Sequence, residues 1–212
     1  MTDAATQHNQ GVYDQIASSY AARWASQDIW PADLSGPFLA RLPPVARVAD
    51  LGCGPARDGR WLARAGHRVA GLDRSAGMLQ TARQSLPGRV AQADLRCLPL
   101  ADGSLDGIWC CAALLHVPHQ ETATALAGIR RVLCPGGVLA LITAAGDGTR
   151  LEPVPYAPDQ QRWFFYRRPG ELGEQLRAAG FAVLPMTEET TNRDWVKILA
   201  VAGQADGQRR VS

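Results

Sequence analysis

The chain has 212 residues, 46% hydrophobic and 20% charged, with a formal net charge of +2. That composition fits one globular domain with a sizeable core and excludes a low-complexity or strongly basic chain. Five cysteines, Cys53, Cys97, Cys110, Cys111 and Cys134, form no C-x-x-C pair, so neither a zinc site nor a disulfide framework is expected. The polar start "MTDAATQHNQG" lacks a signal-peptide core, and no apolar run is long enough to span a bilayer. A cytoplasmic setting and no membrane partner are expected. Lys197 is the only lysine, and the arginines are scattered without a basic stripe, so no nucleic-acid partner is expected.

Taken in chain order, Tyr13, Ile16, Ala17, Tyr20 and Trp24 recur at helical spacing, which predicts a helix over 11–26. A link punctuated by Pro and Gly follows, with a short helix near 37–42. "RVADL" (47–51) reads as a buried strand, 56–66 as a helix, 67–73 as a strand, 76–86 as a helix and 89–94 as a strand. Residues 105–112 give a fourth strand, 121–133 a helix and 136–143 a fifth strand. The polar, Pro-rich stretch 146–160 is expected to be a loop, with a helix after it at 169–180. Strands at about 181–188 and 194–202 flank a connection too short for a helix, so they should form an antiparallel hairpin.

Strand–helix alternation of this kind predicts an α/β fold: a Rossmann-like, mostly parallel seven-stranded sheet with helices on both faces and an antiparallel hairpin at the C-terminus. Residues 1–45 would form an N-terminal helical cap, 46–202 the core and 203–212 a disordered tail. No internal repeat or second domain is expected, and nothing in the pattern specifies an oligomeric state.

The stretch "VADLGCGPARDG" (48–59) raises the question of a nucleotide loop. Glycines after a first strand let backbone approach a ligand, and the helix that follows favours negative groups. A dinucleotide fingerprint starting at Gly52 would need glycine where Arg57 stands, and no G-K-S/T marks a P-loop. What fits is Asp50-x-Gly52-x-Gly54, with Asp73 ending the second strand and Asp94 the third. Asp73 is placed to accept from a ribose diol, and Asp94 from an adenine amino group.

Together, "DLGCG", "GLD", "QADLRCLPL" and "LDGIWCCAALLHVP…VLCPGG" resemble a class I S-adenosylmethionine-dependent methyltransferase of the bacterial small-molecule type, over residues 13–202. The resemblance implies S-adenosylmethionine as cofactor, S-adenosylhomocysteine as product, no metal and a small-molecule methyl acceptor. It assigns Gly52, Cys53 and Gly54 to the loop over the aminoacyl part, with Asp50 holding that loop or meeting the amino group through water. Asp73 would bind the ribose, Asp94 and the Leu95 amide the adenine, and Arg74 and Met78 would flank them. The Cys110 backbone would face the methionine amino group. The helix bearing Tyr13 and Tyr20 would fold over the cofactor. Ala56 replaces the usual third glycine, implying a slightly fuller loop, and Cys134 stands where lysine is common.

His116 sits where such a fold places its reaction centre, as a general base if the acceptor must lose a proton, or as packing beside the cofactor. His119, His8 and His67 are expected at the surface. Cys110 and Cys111 read as small strand hydrophobes. The run 160–172 concentrates Arg162, Trp163, Phe164, Phe165, Tyr166, Arg167 and Arg168. It reads either as a cap over an acceptor or as an edge strand with core aromatics. Arg162, Phe164, Tyr166, Arg193 and Trp195, with Trp24 and Trp30, are the candidate acceptor contacts. Other readings stay open: a catalytically silent S-adenosylmethionine-binding sensor or partner subunit, methylation of a macromolecule, and a nicotinamide oxidoreductase.

Overall fold

The computed structural model describes residues 2–24, 31–185, 187–191 and 193–203. Trp30 and the expected tail after Gly203 lie outside the described residues. The described helices are α1 (Thr2–Trp24), α2 (Ala32–Leu39), α3 (Arg57–Arg64), α4 (Ala76–Ala82), α5 (Thr122–Val132) and α6 (Pro169–Ala178). The strands are β1 (Arg47–Leu51), β2 (Arg68–Asp73), β3 (Val90–Gln92), β4 (Leu105–Cys111), β5 (Leu133–Ala144), β6 (Thr149–Val154), β7 (Ala157–Phe165), β8 (Phe181–Val183), β9 (Thr187–Thr190) and β10 (Asp194–Ala202). No described helix is long and apolar enough to cross a membrane.

Strands β1 to β5 are parallel, and the main sheet runs β3-β2-β1-β4-β5-β10-β8, with β9 also paired to β10. Strand β10 lies antiparallel to β5 and to both β8 and β9, which is the expected closing hairpin. The expected strand over 181–188 is split in two, so the described sheet has eight strands, not seven. Pro185 stands between the pieces and has no N–H to give to the ladder.

Both sheet faces are covered because the central strands carry apolar side chains on each side. In β5, Val138, Ala140 and Ile142 face α2, α3 and α4, where they pack with Phe38, Leu62 and Leu79. Leu139 and Leu141 point the opposite way, into the cluster built with Leu126 and Ile129 of α5 and Leu172 and Leu176 of α6. Each buried Val, Leu or Ile among them contributes about 1.5–3 kcal/mol.

One expectation fails outright. Residues 146–160 are not a loop, because β6 and β7 form an antiparallel two-stranded ribbon, in register from Thr149 with Phe165 to Pro153 with Gln161 and shifted after that to pair Val154 with Ala157. The prolines that argued against strands are tolerated here because each strand of a two-stranded ribbon has a free edge.

Helix α1 starts well before residue 11. Its inward stripe runs Thr6, Asn9, Val12, Ile16 and Ala17, polar at the N-terminal end and apolar after it. It rests on α4 and the ribbon through Met78 and Val154. Asp14 accepts from Ser75 Oγ (2.6 Å) and the Gly77 amide (2.9 Å), and Gln10 from Arg74 Nε (2.9 Å). The cap and ribbon therefore cover the edge where the parallel strands end, which is where sheets of this class bind ligands.

Candidate functional site

The loop after β1 turns on Gly52 and Gly54, both left-handed at φ 69° and 52°. A Cβ on Gly52 would lie 2.3 Å from that of Ala113, so the loop is pressed against the chain leaving β4. The Gly54 and Ser75 amides each donate to an Asp73 carboxylate oxygen at 2.8 Å. Asp73 thus ties the glycine loop to the start of α4. Burial pushes its carboxyl up, and the amide donors pull it back down. Ala56, at the third-glycine position, is also left-handed at φ 60° and fully buried. For alanine that conformation costs about 1–2 kcal/mol, so the departure is felt in the backbone rather than in the space it fills.

Asp50 is buried beneath this loop, and its Oδ2 has no hydrogen-bond partner among the described residues. Burial, with the Asp58 carboxylate beside it, pushes Asp50 well up. Asp58 accepts from Arg57 Nε (2.6 Å) and from the buried Trp109 indole (2.9 Å). Asp94 is more heavily engaged than the sequence suggested. Arg96 donates to it from backbone and side chain, and Arg74 Nη1 adds a further short contact. The Arg96 hydrogen bonds hold its carboxyl low against the opposing effect of burial.

Two cavities open at this edge. The first, about 120 Å³, lies between α1 and the strand ends and is lined by Gly52, Gly54, Asp73, Met78, Asp94 and Leu95, with Arg74 at its wall. The second, about 410 Å³, lies under the ribbon and the final hairpin and is lined by Trp24, Arg162, Phe164, Arg193 and Trp195, with Asp50 and Cys53 on its floor. Tyr13, Tyr20, Cys111, Ala112 and His116, together with Gly52 and Gly54, belong to both walls.

Two expected site residues are not there. Cys110 lines neither cavity, because its side chain is buried in the α5–α6 core and the chain reaches the cavities one residue later. Tyr166 is also absent from both walls, and it instead accepts from Arg193 (2.9 Å) and donates to Glu152. Thr6, Asn9 and Gln10 line the first cavity and Tyr156 and Arg57 the second, none of which the sequence reading assigned. Extending the helical spacing back from Tyr13 would have reached the first three.

His116 sits at a junction of α1, β7 and the chain after β4. Its Nδ1 lies 3.0 Å from the Trp163 carbonyl and Nε2 lies 2.7 Å from Tyr13 Oη. With Nδ1–H donating to the carbonyl, Nε2 accepts from the phenol, whose oxygen accepts from Arg162 Nη1 (2.9 Å). Asn9 clamps the same Trp163 peptide, its Oδ1 accepting from the amide at 2.7 Å and its Nδ2 donating to the carbonyl at 2.9 Å. Burial, followed by the charge of Arg162, pushes His116 down to about 3, so the ring is neutral near pH 7. His8 and His119 are exposed, as expected, whereas His67 is partly buried and accepts from the Ala46 amide. All five cysteines are free.

Residues 49–141, from β1 through most of β5, match the family described as a methyltransferase domain. Residues 49–141 therefore resemble the core of a class I S-adenosylmethionine-dependent methyltransferase. The chain is 40% identical over 113 residues to a malonyl-(acyl-carrier protein) O-methyltransferase of Enterobacter lignolyticus, covering 52% of this chain and 44% of that protein. It is 40% identical over 109 residues to a trans-aconitate 2-methyltransferase of Variovorax paradoxus, covering 49% and 41%. The chain spans about half the length of the curated relatives it matches. The chain also shares its fold with the 1,6-didemethyltoxoflavin-N1-methyltransferase of Burkholderia thailandensis. That likeness has a TM-score of 0.74 at 23% identity, over 96% of this chain and 91% of that one.

Proposed function

We propose that this protein transfers a methyl group from S-adenosylmethionine to a small molecule held in the larger cavity. The observation that carries the reading is the shared wall: one cavity behind the glycine loop and Asp73, a second against aromatic and basic side chains, meeting at Tyr13, Ala112 and His116. The cradle suits the cofactor. Gly54 leaves open the space a side chain would take near Tyr20 and Met78, and the buried Asp50 Oδ2 has no partner among the described residues.

In this reading Asp73 accepts from a ribose diol while keeping the Gly54 amide, and Leu95 and Met78 bound the adenine. Asp94 reaches the adenine amino group only if Arg74 gives up its contact, because the carboxylate oxygens are already shared among several donors. Cys111 and Ala112 take the place first given to Cys110 at the aminoacyl end. S-adenosylmethionine, when bound, supplies a methyl group already activated by its sulfonium. The chain is left to align the acceptor and exclude water, which α1 and the ribbon do by covering the site.

His116 is assigned a positioning role rather than that of a base. Both ring nitrogens are in use, and its proton affinity is low because the ring is buried beside Arg162. It holds Tyr13 and the Trp163 peptide, and through them the cap against the ribbon. The relatives named above are those of malonyl-(acyl-carrier protein) and trans-aconitate, which supports a small organic acceptor. The test is S-adenosylhomocysteine release across a panel of small acids, amines and phenols. Turnover with at least one acceptor is expected, whereas cofactor binding with no turnover across the panel would favour the silent binding protein.

A further inference from the structure

The wall of the larger cavity holds five cationic side chains: Arg23, Arg57, Arg162, Arg193 and Lys197. Arg57 faces Asp58 at 2.6 Å, Arg193 faces Glu152 at 2.8 Å, and Lys197 faces Asp33 at 2.6 Å and Glu189 at 3.0 Å. Arg23 is exposed at the rim, where water solvates it. Arg162, on β7, has neither arrangement. It is half-buried and has no carboxylate within ion-pair distance among the described residues.

What Arg162 does have is neutral. Nη1 donates to Tyr13 Oη, and Nε is buried without an acceptor among the described residues. The guanidinium carbon lies 5.1 Å from the Phe164 ring centre and 5.6 Å from that of Tyr13. Cation–π contacts of this kind recover only part of what a charge loses on leaving water. Arg167 also lacks a carboxylate, but it lines neither cavity and its guanidinium is held by two carbonyls and the Thr122 hydroxyl. Arg162 is therefore the cation in this wall whose counter-charge the described protein does not supply.

We propose that Arg162 recognises the acceptor, and that the acceptor is a carboxylate carried on a flat or apolar body. The inference rests on the larger cavity being the acceptor site. A guanidinium pairs with a carboxylate through parallel N–H donors, and Phe164, Tyr156 and Trp195 supply aromatic surface for the rest of the molecule. A carboxylate suits the site better than a phosphate ester. One inner cation awaits a counter-charge, which matches a single negative charge rather than two.

The test is calorimetric titration of the full chain with benzoate and trans-cinnamate, and with benzamide and cinnamamide as neutral counterparts. It is run with and without saturating S-adenosylhomocysteine, on the wild type, Arg162→Gln and Arg162→Lys. The wild type should bind the carboxylates at least about tenfold tighter than the amides. Arg162→Gln should erase that preference and Arg162→Lys should keep part of it. Equal binding of amides, no binding of either carboxylate, or an unchanged preference in a correctly folded Arg162→Gln each overturns the proposal. Failure of S-adenosylhomocysteine to bind the wild type would instead count against the cofactor reading, and the carboxylate preference is still read on the protein alone.

Discussion

The phenol of Tyr13 in the cap helix meets Nε2 of His116 at 2.7 Å, and the rings pack edge to face with centroids 5.2 Å apart. This contact joins α1 to the chain leaving β4 at the wall the two cavities share. With Nδ1–H donating to the Trp163 carbonyl, Nε2 accepts from Tyr13 and has no free lone pair for an acceptor's proton.

The first prediction concerns pH. Burial and the nearby Arg162, Arg193 and Arg167 charges push His116 from 6.5 to about 3. Between those values the unfolded chain binds a proton that the folded chain refuses, so this group's contribution to stability falls as pH drops through that window. Asp50 and Asp73, pushed up by burial, act in the opposite sense but are common to wild type and variant. Urea unfolding of the wild type and His116→Gln, compared from about pH 7 to about pH 4.5, should show the wild type losing its advantage as pH falls. A constant difference would mean that His116 titrates normally in the fold.

The second concerns the loop clamp. Asp73 holds two backbone amides now and would take the ribose diol in the complex. Hydrogen bonds to a charged group contribute about 1.5–3 kcal/mol, so Asp73→Ala should weaken S-adenosylhomocysteine binding by roughly ten- to a hundredfold. An unchanged dissociation constant by calorimetry would remove Asp73 from the cofactor site.

Most of the architecture was legible in the sequence because the parallel strands are buried on both faces and end in diagnostic residues. Asp50, Gly52, Gly54 and Asp73 sit at strand ends, where alternation of strands and helices fixes their place. Cys110 was named for its backbone; its side chain turns into the core, and Cys111, one residue on, lines the cavities. The start of α1 was missed because the residues that turn inward there, Thr6, Asn9 and Gln10, are themselves polar, so the apolar period that reveals a helix is absent. Pro153 and Pro158 concealed the ribbon for the reason given by its free edges. The isolation of Arg162 was not readable, since it depends on where Asp58, Glu152 and Glu189 place their carboxylates.

The third concerns the seat of the cap. A Cβ on Gly77 would lie 2.7 Å from the Asp14 carbonyl oxygen and 2.9 Å from its Cα, and backbone cannot swing away as a side-chain tip can. Gly77→Ala should lift α1 from α4 at a cost of about 1–3 kcal/mol. Faster proteolysis within α1 and weaker S-adenosylhomocysteine binding are expected. Wild-type values for both would mean that the cap is not held there.

The fourth concerns the floor of the site. Trp109 is buried, packs edge to face on Phe38 and Trp61, and donates its indole N–H to Asp58. Trp109→Phe keeps most of the ring contact but leaves a buried carboxylate short of a donor, so urea unfolding should show a loss of about 2 kcal/mol. No loss would mean that Asp58 does not depend on the indole donor.

The central claim is that the cavity behind the glycine loop is built for S-adenosylmethionine. Calorimetric titration of the wild-type chain with S-adenosylhomocysteine, with NAD as the competing dinucleotide, tests it most directly. Saturable binding of S-adenosylhomocysteine at one site per chain, with no heat from NAD, is the expected result. Binding of NAD without binding of S-adenosylhomocysteine would contradict it.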